Sequence, residues 1–331
     1  MQLALSMATI FLASFILTYL VLPSLIKKMS ARGLTGRDMN KLGNKPEVAE
    51  LGGIGPMLGI SFGVIIAIFI ATYLNILTIN LTILLASFLT IFLVCFIGVI
   101  DDIIGWKKGI RQWQHALFPV FAALPLMAVN AGTDFLVLPF IGPVSIGIFY
   151  SLLLVPLGIT GASNAFNMLA GFNGLEAGLG AIIITTLTAI AFITNRPEAA
   201  ILGIAILASL LAFLRYNWFP AKVFGGDSLT LMIGASVATI SIIGNMEKIG
   251  ISLIALHWVE LAFKARHRFQ SESFGIPQKD GRLAPDPRGG SLTHFLLRWK
   301  MMGEKELVFT LLGAQAAISL AVFGMFYFRL F

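Results

Sequence analysis

Long apolar runs recur along the whole chain, and they constrain its fold more than any other feature. Crossing about 30 Å of hydrocarbon takes roughly 20 helical residues, and runs of this kind appear here with few charges inside them. Hydrophobic residues make up 57% of the chain and charged residues only 12%, whereas about a quarter of an ordinary soluble domain is charged. The sequence therefore predicts an all-α integral membrane protein.

About ten transmembrane helices are predicted, with boundaries that are soft by several residues. Pro119 and Pro125 interrupt the fourth, and His257 and Glu260 lie inside the ninth. Residues 132–144 are predicted to form a short external hairpin. The chain, 1–331, is predicted to be one polytopic membrane domain whose single sizeable loop is 265–306. The predicted spans are 3–26, 54–75, 81–100, 115–131, 145–163, 174–194, 198–215, 227–245, 248–264 and 307–328.

Lysine and arginine are divided very unequally between the two sets of loops, and such residues are retained on the cytoplasmic side. Of the 23 basic residues, only Arg196, Lys248 and Arg329 fall in the opposite set. Both termini are therefore predicted to lie outside. The net charge of +7 then suits anionic lipid head groups and phosphorylated substrates, so nucleic acid is not needed to explain it. The predicted cytoplasmic loops are 27–50, 101–114, 164–173, 216–226 and 265–306.

Cys95 is the only cysteine and lies within an apolar span. A single cysteine excludes a disulfide framework within the chain and a metal site built on several thiolates. We interpret it as a small packing residue.

Two aspartates follow one another at the predicted inner end of the third span. Asp101 and Asp102 lie in the string CFIGVIDDIIG, and neighbouring helical residues point about 100° apart, so the pair can serve a metal and a substrate in one site. The alternative is that they only mark the water boundary. Carboxylates at a helix C-terminus oppose the macrodipole, which favours a functional role.

The segment NAFNMLAGFNGLEAG, residues 164–178, is the most informative. Asn164 and Asn167 share a face if the last helical turn persists. Gly171 permits close approach by a ligand, and Asn173 offers both donors and acceptors for a base edge or phosphate oxygens. The structural alternative is a turn with asparagine caps, but three asparagines and three glycines exceed what a turn needs.

Two more motifs stand at predicted inner span ends. In PAKVFGGDSLTL, residues 220–231, Asp227 is a candidate N-cap of the eighth span. A helix start preceded by glycines also suits phosphate or Mg²⁺-phosphate, and the two roles can coexist. In KARHRF, residues 264–269, the basic residues are either a positive-inside signal or a pyrophosphate clamp.

These four segments resemble the polyprenyl-phosphate N-acetylhexosamine-1-phosphate transferase family, and the resemblance covers essentially the whole chain. Bacterial members usually carry a D-G-x-D-G-L pattern, whereas residues 170–176 read AGFNGLE, which is similar to the dolichol-type branch. The strings GLTGRDMNK, VFGGDS and RHR are also similar to that branch. The resemblance implies transfer of GlcNAc-1-phosphate from UDP-GlcNAc to dolichyl or another polyprenyl phosphate. It also implies a cytoplasmic active site in an archaeal cell membrane, serving protein N-glycosylation.

The resemblance also implies roles for particular residues. Asn167 and Asp227 would bind Mg²⁺, with Mn²⁺ as an alternative, and Asp101 and Asp102 would lie beside the lipid phosphate. Uracil would be held by Asn173 and by stacking on Phe224. The nucleotide-sugar site as a whole would comprise Asn164, Gly171, Asn173, Phe224, Arg266, His267 and Arg268. Further positions implied are Asn40, Lys41, Glu50, Lys108 and His115.

The expected chemistry is phosphoryl transfer, which needs mainly positioning and charge neutralisation. A polyprenyl phosphate, with a second pKa of about 6, is largely dianionic at neutral pH. Direct attack on the β-phosphorus, with release of UMP, is therefore predicted, and a covalent aspartyl intermediate is the competing mechanism.

Two other functions stay open: a bacterial-type transferase that uses undecaprenyl phosphate and GlcNAc or MurNAc-pentapeptide, and an ion-coupled transporter with His257 and Glu260 as a buried pair. The sequence leaves open whether the protein is a homodimer.

Overall fold

The computed structural model describes residues 2–108, 112–133, 135–138 and 142–330, without the side chains of 105–108, 112–116, 136–138 and 143. Helices dominate, as predicted. In chain order they are α1 (Gln2–Ala31), α2 (Ile54–Thr72), α3 (Leu81–Lys108), α4 (Gln112–Ala122), α5 (Leu124–Ala128), α6 (Val155–Met168), α7 (Leu175–Ile193), α8 (Pro197–Asn217), α9 (Gly226–Ile243), α10 (Glu247–Leu253), α11 (Ala255–Arg266), α12 (Leu292–Trp299) and α13 (Glu304–Tyr327).

Seven of the described helices are long and apolar enough to cross a bilayer, and the chain is a multi-pass membrane protein. They are α1, α2, α3, α7, α8, α9 and α13. The other three predicted spans are helical but interrupted. Pro125 starts a new helix, α5, within the fourth, because proline suits a first helical turn. A π-helical stretch, Tyr150–Leu154, precedes α6 in the fifth, and the ninth breaks at Ile254.

The described residues also form three short antiparallel strand pairs. The predicted hairpin near 132–144 is confirmed as a strand pair, β3 with β4. The other two occur in loops that were predicted to be cytoplasmic, and they give those loops a defined shape. The strands are β1 (Thr35–Arg37), β2 (Glu47–Ala49), β3 (Phe135–Leu138), β4 (Gly142–Ser145), β5 (Ile276–Pro277) and β6 (Leu283–Ala284).

Helix α9 lies at the centre of the bundle, in contact with α3, α6, α7 and α8. Close approach depends on small residues. A Cβ at Gly98 of α3 would lie 2.5 Å from Ser228 Cα in the first turn of α9, so only glycine fits there. This contact brings the end of α3, with its paired aspartates, against the start of α9.

The five loops predicted to share one side meet at one end of the bundle. Residues 27–50 contact 164–173 through Asn40 Nδ2, which donates to Gly171 O at 2.8 Å. They contact 216–226 through a bridge between Ala49 and Val223. The 265–306 loop contacts the end of α6 through Ser273 Oγ, which donates to Met168 O at 3.2 Å. Together with the contact of α3 with α9, these contacts form one continuous polar end.

Candidate functional site

A polar cavity of about 190 Å³ opens at this end of the bundle, between the end of α6, the start of α9 and two loops. Four of the residues singled out in the sequence for metal or nucleotide binding face it, together with Glu50. It is lined by Arg37, Asp38, Met39, Glu50, Asn167, Ala170, Gly171, Phe172, Glu176, Asn217, Phe224, Gly225, Gly226, Asp227, Thr230 and Phe274.

Asn167 and Asp227 face the same cavity although 60 residues separate them, by the difference of their numbers. Asn167 lies in the last turn of α6, and Asp227 is the second residue of α9. Thr230, one turn further along α9, donates from Oγ1 to Asn167 Oδ1 at 3.0 Å. The two helix ends are thereby joined, with an amide oxygen and a carboxylate in one cavity.

The interpretation of Asp227 as the N-cap of its helix is wrong. Helix α9 begins at Gly226, and the carboxylate that covers its start comes from Asp102 on α3. Asp102 Oδ1 accepts from Asp227 N at 2.8 Å, and Oδ2 accepts from Ser228 N at 3.2 Å. A carboxylate at a helix N-terminus accepts hydrogen bonds from N–H groups that have no partner within the helix. Its negative charge also interacts favourably with the positive end of the helix dipole. The Asp227 side chain is therefore not used as a cap.

The paired aspartates also differ from prediction in their place along the helix. Helix α3 continues to Lys108, so Asp101 and Asp102 precede its last turn, and the argument from the C-terminal macrodipole does not apply. Asp101 is buried, and it is not among the cavity-lining residues. Asp102 contacts the cavity through the backbone of Asp227.

Glu50 also carries a carboxyl group close to Asp227, and it lines the polar cavity. Its side chain lies against Gly36, where a Cβ would come within 2.2 Å of Oε1. Burial, and then the charge of Asp227, raises the pKa of the Glu50 carboxyl. Two carboxyl groups that repel in this way form a site that a cation would stabilise.

Aromatic rings form another part of the wall of the polar cavity. Phe224 is fixed by its backbone, which donates from N to Ala49 O at 2.7 Å and accepts from Gly52 N at 2.9 Å. Gly171 has φ of +104°, and a Cβ there would lie 2.5 Å from Phe274 Cε1. The segment thus needs glycine for both its backbone conformation and the close approach of a ring.

Substituting Gly171 should impair the cavity more than it impairs the fold. In Gly171→Ala the methyl group meets the Phe274 ring and the backbone is strained by roughly 1–3 kcal/mol, so we expect the KM for a nucleotide substrate to rise about tenfold. Steady-state kinetics on purified protein measure this. Gly281→Ala is the matched control, because Gly281 has φ of +80° with nothing within 4 Å of an added Cβ. Equal effects of the two substitutions would contradict a cavity-specific role.

Asn173 lies behind the cavity wall and is not among the lining residues. It is buried, with Nδ2 donating to Asp38 Oδ2 at 3.2 Å and N donating to Glu304 Oε1 at 3.0 Å. Lys41 forms an ion pair with Asp38 at 2.9 Å and is also bonded to Glu304. Asn40 is buried beside them and supports the carbonyl of Gly171. These residues form a framework that connects the first loop, the 164–173 segment and α13.

Asn164, Arg266, His267 and Arg268 are not among the residues that line the polar cavity. Asn164 donates to Thr160 O within its own helix. Arg266 and Arg268 are exposed at the end of α11, and His267 Nδ1 lies 3.0 Å from Phe263 O. The side chains of Lys108 and His115 lie outside the described residues.

Glu260, considered above as half of a transport pair, anchors the 265–306 loop. Its buried carboxylate accepts from Leu292 N at 2.7 Å and from Ser291 Oγ at 2.9 Å, at the start of α12. Ser273 Oγ lies 3.3 Å from it. His257 does not bond to Glu260; its ring is stacked on Phe166, with centroids 4.0 Å apart. The described contacts thus give Glu260 a structural role: it holds Ser273, which is adjacent to Phe274 in the chain.

Several residues of the site escaped sequence analysis. Phe274 belongs to a loop whose fold depends on Glu260. Asp38 and Glu304 are 266 residues apart by their numbering and are brought together by their shared partner Lys41, so no local pattern identifies them. Thr230, by contrast, could have been identified from the sequence. It follows Asp227 by three residues on a helix, a spacing that places both on one face.

Comparison with known proteins identifies the family of the chain. The model of glycosyl transferase family 4 matches residues 83–245. The chain is 34% identical to the proposed UDP-N-acetylglucosamine–dolichyl-phosphate N-acetylglucosaminephosphotransferase of Saccharolobus solfataricus, covering 92% of each chain. The chain belongs to glycosyl transferase family 4. It is a membrane-embedded transferase, as the sequence predicted.

Two further relatives show the breadth of the family. A Sulfolobus acidocaldarius protein with the same proposed name is 32% identical over 92% of this chain and 91% of its own length. The phospho-N-acetylmuramoyl-pentapeptide-transferase of Limosilactobacillus reuteri is 31% identical over 93% of this chain and 94% of its own. Glycosyl transferase family 4 thus includes relatives named for two kinds of sugar-phosphate transfer.

Proposed function

We propose that this chain transfers GlcNAc-1-phosphate from UDP-GlcNAc to a polyprenyl phosphate of the dolichyl type, forming polyprenyl-diphospho-GlcNAc and UMP. One observation carries the proposal: an amide oxygen, a carboxylate and aromatic rings line a single polar cavity at the end of the bundle where the basic loops meet. The names of the two archaeal-type relatives support the choice of both substrates. The product would begin a lipid-linked oligosaccharide for protein N-glycosylation in an archaeal cell membrane.

The donor set of the polar cavity fits Mg²⁺, with Mn²⁺ as the alternative. Magnesium takes oxygen ligands, commonly one or two carboxylates completed by waters and substrate phosphates. Asn167 and Asp227 supply two such oxygens, and the described residues hold no group of three or more His, Cys, Asp or Glu side chains suited to a metal. Asn167 and Asp227 would therefore hold a cation completed by the donor pyrophosphate. When bound, it would neutralise charge on the phosphoryl oxygens.

The nucleoside is assigned to the aromatic part of the polar cavity. Phe224 would stack on uracil and Gly171 would allow close approach, while the ring of Phe274 closes the same wall. Aromatic rings provide a sequence-tolerant surface for a base. Asn173 would act from behind by fixing the 164–173 segment, because its side chain is already bonded to Asp38.

The acceptor chain is assigned to an apolar groove of about 360 Å³ along α6, α9 and the broken ninth span. Gly158 and Gly161 leave its floor open, and Trp258 forms part of its wall. Tyr150 donates to Glu247 at its far end. Asn167 follows Ala162 of the groove by five residues, about 8 Å of helical rise. An isoprenoid in this groove would place its phosphate near the polar cavity.

Direct transfer follows from the charge of the acceptor. Its dianionic phosphate needs no strong base, so a lipid oxygen would attack the β-phosphorus while the bond to the UMP oxygen breaks. Asp102 holds the start of α9 and thereby positions Asp227, and Asp101 would orient the lipid phosphate. Arg266, His267 and Arg268 are proposed to close on the pyrophosphate from the exposed end of α11.

The topology is proposed to be ten membrane crossings, three of them by interrupted helices, with the active site cytoplasmic and both termini outside. The unequal distribution of lysine and arginine supports this orientation. The basic loops among the five predicted to be cytoplasmic lie at the same end of the bundle as the polar cavity, which supports a site on that same face.

A substrate assay tests the function. Purified protein in detergent or vesicles is given Mg²⁺, several UDP-sugars, and either dolichyl or undecaprenyl phosphate. We expect lipid-linked GlcNAc and equimolar UMP with dolichyl phosphate, and loss of both when EDTA removes the cation. Preference for undecaprenyl phosphate with a MurNAc-pentapeptide donor would instead assign the bacterial-type reaction. Stoichiometric UMP release without lipid would contradict direct transfer.

A further inference from the structure

Helix α12 carries a stripe of exposed apolar side chains within a loop that the sequence marks as an excursion into water. Trp299 is 85% exposed and Phe295 53%. Met301, two residues beyond the end of the helix, is 44% exposed. Phe295 and Trp299 are four residues apart and so share a face of the helix. A helix on a water-soluble surface shows polar residues on its outer face, so this stripe requires an apolar or interfacial environment.

The position of the stripe is fixed by contacts at both ends of α12. Glu260 binds the backbone at Leu292, and a bridge between Leu283 and Met302 holds the segment after the helix. The inner face, with Leu292 and Leu297, belongs to a hydrophobic cluster shared with α7 and α13. The exposed stripe cannot turn inward without breaking these contacts.

The stripe continues the outer surface of α11 at its last turn. The rings of Phe263 and Phe295 lie 5.7 Å apart, and Phe263 is three residues from the end of α11. Further up α11, Trp258 and Val259 are exposed on a helix of the bundle. Apolar side chains on α11 and α12 therefore connect the side of the bundle to the stripe through the contact of Phe263 with Phe295.

Charge around the stripe is suited to lipid head groups. Arg298 and Lys300 flank Trp299 and are exposed. Arg298 donates to Gly289 O at 2.6 Å, and Lys300 pairs with Glu306 at 2.6 Å, so both are held at the edge of the stripe. Tryptophan with arginine or lysine is the combination typical of the boundary between hydrocarbon and water.

We infer that α12 lies in the head-group region of the membrane leaflet next to the polar cavity, with Phe295 and Trp299 inserted and Arg298 at the lipid phosphates. Its partner is a lipid surface that contains anionic phospholipid. The 265–306 loop is then anchored at both the bundle and the bilayer. This inference does not depend on which substrates the enzyme uses.

Fluorescent labelling can test this placement because the chain has one cysteine, Cys95, which is buried. In a Cys95→Ala background, Trp299→Cys is labelled with an environment-sensitive fluorophore. The matched control is Lys279→Cys, exposed in the turn between β5 and β6 of the same loop. Both proteins are reconstituted in vesicles of phosphatidylcholine and phosphatidylglycerol that carry a nitroxide near the start of the acyl chain.

We expect lipid nitroxide to quench the label at position 299 several-fold more than at 279, and aqueous iodide to show the opposite order. Phe295→Cys, labelled in the same way, should repeat the result if Trp299→Cys folds poorly. Iodide quenching at 295 and 299 equal to that at 279, with no difference in lipid quenching, would overturn the inference and leave a protein partner as the occupant.

Discussion

Replacing Asp227 with asparagine should reduce transferase activity about 10³-fold while leaving the protein folded. The substitution removes the only charge that α9 contributes to the polar cavity in its first turn. The fold should persist because the bond that fixes this residue to α3 uses its backbone N–H, donated to Asp102, which asparagine retains. The measurement is product formation at saturating substrates, with thermal unfolding of the detergent-solubilised protein as the check on folding.

Asp280→Asn is the matched control for the Asp227 substitution. Asp280 is an exposed carboxylate in the turn between β5 and β6, and it bonds only to neighbours in that turn. Its substitution should leave activity within about twofold, because surface changes of this kind are close to neutral. Activity of Asp227→Asn within tenfold of the parent, roughly 1.4 kcal/mol, would exclude Asp227 as an essential cation ligand.

Replacing Asp102 with alanine should lower both stability and activity. Two backbone N–H groups at the start of α9, those of Asp227 and Ser228, would lose their acceptor. Each such loss costs roughly 1–3 kcal/mol, so we expect the free energy of unfolding to fall by about 3 kcal/mol. Activity should fall as well, since the start of α9 positions Asp227. Denaturant unfolding and the transferase assay measure the two effects.

Asp102→Asn separates the structural role of Asp102 from a chemical one. Its amide oxygen can still accept one backbone N–H, so about half of the lost stability should return. If Asp102 acts through the position of α9, activity should recover in proportion to stability. A stable but inactive Asp102→Asn protein would instead show that the charge itself is needed, as the sequence resemblance implied. Unchanged stability in Asp102→Ala would contradict the capping role.

Hydropathy was sufficient to locate the membrane helices because each long span is a continuous apolar run in sequence. Hydropathy did not predict all the positions at which the helices break within the predicted spans. Pro125 marks the break in the fourth predicted span, whereas Pro119 lies inside α4 and does not interrupt it. The break at Ile254 in the ninth has no proline or glycine at that residue. That break separates a helix packed against α9 and α13 from one packed against α6, so tertiary contacts decide it.

The motifs singled out in the sequence lie at one end of the bundle, but several contacts of their side chains were not foreseen. Asp227 looked like a cap because caps are usually local, whereas the capping carboxylate comes from Asp102, 125 residues earlier by numbering. Asn173 was expected to face a ligand, and the structure directs its amide to Asp38. Such pairings depend on which helix ends meet, and a single sequence does not record that.

The framework around Glu304 has a consequence for biosynthesis. Glu304 is the first residue of the last helix, and it holds both Lys41, before the second helix, and the backbone of Asn173 in the middle of the chain. A nascent polypeptide emerging from the ribosome cannot make these bonds until α13 has been synthesised and has entered the bilayer. A chain that lacks α13, or in which α13 is not inserted, would therefore lack a completed catalytic end.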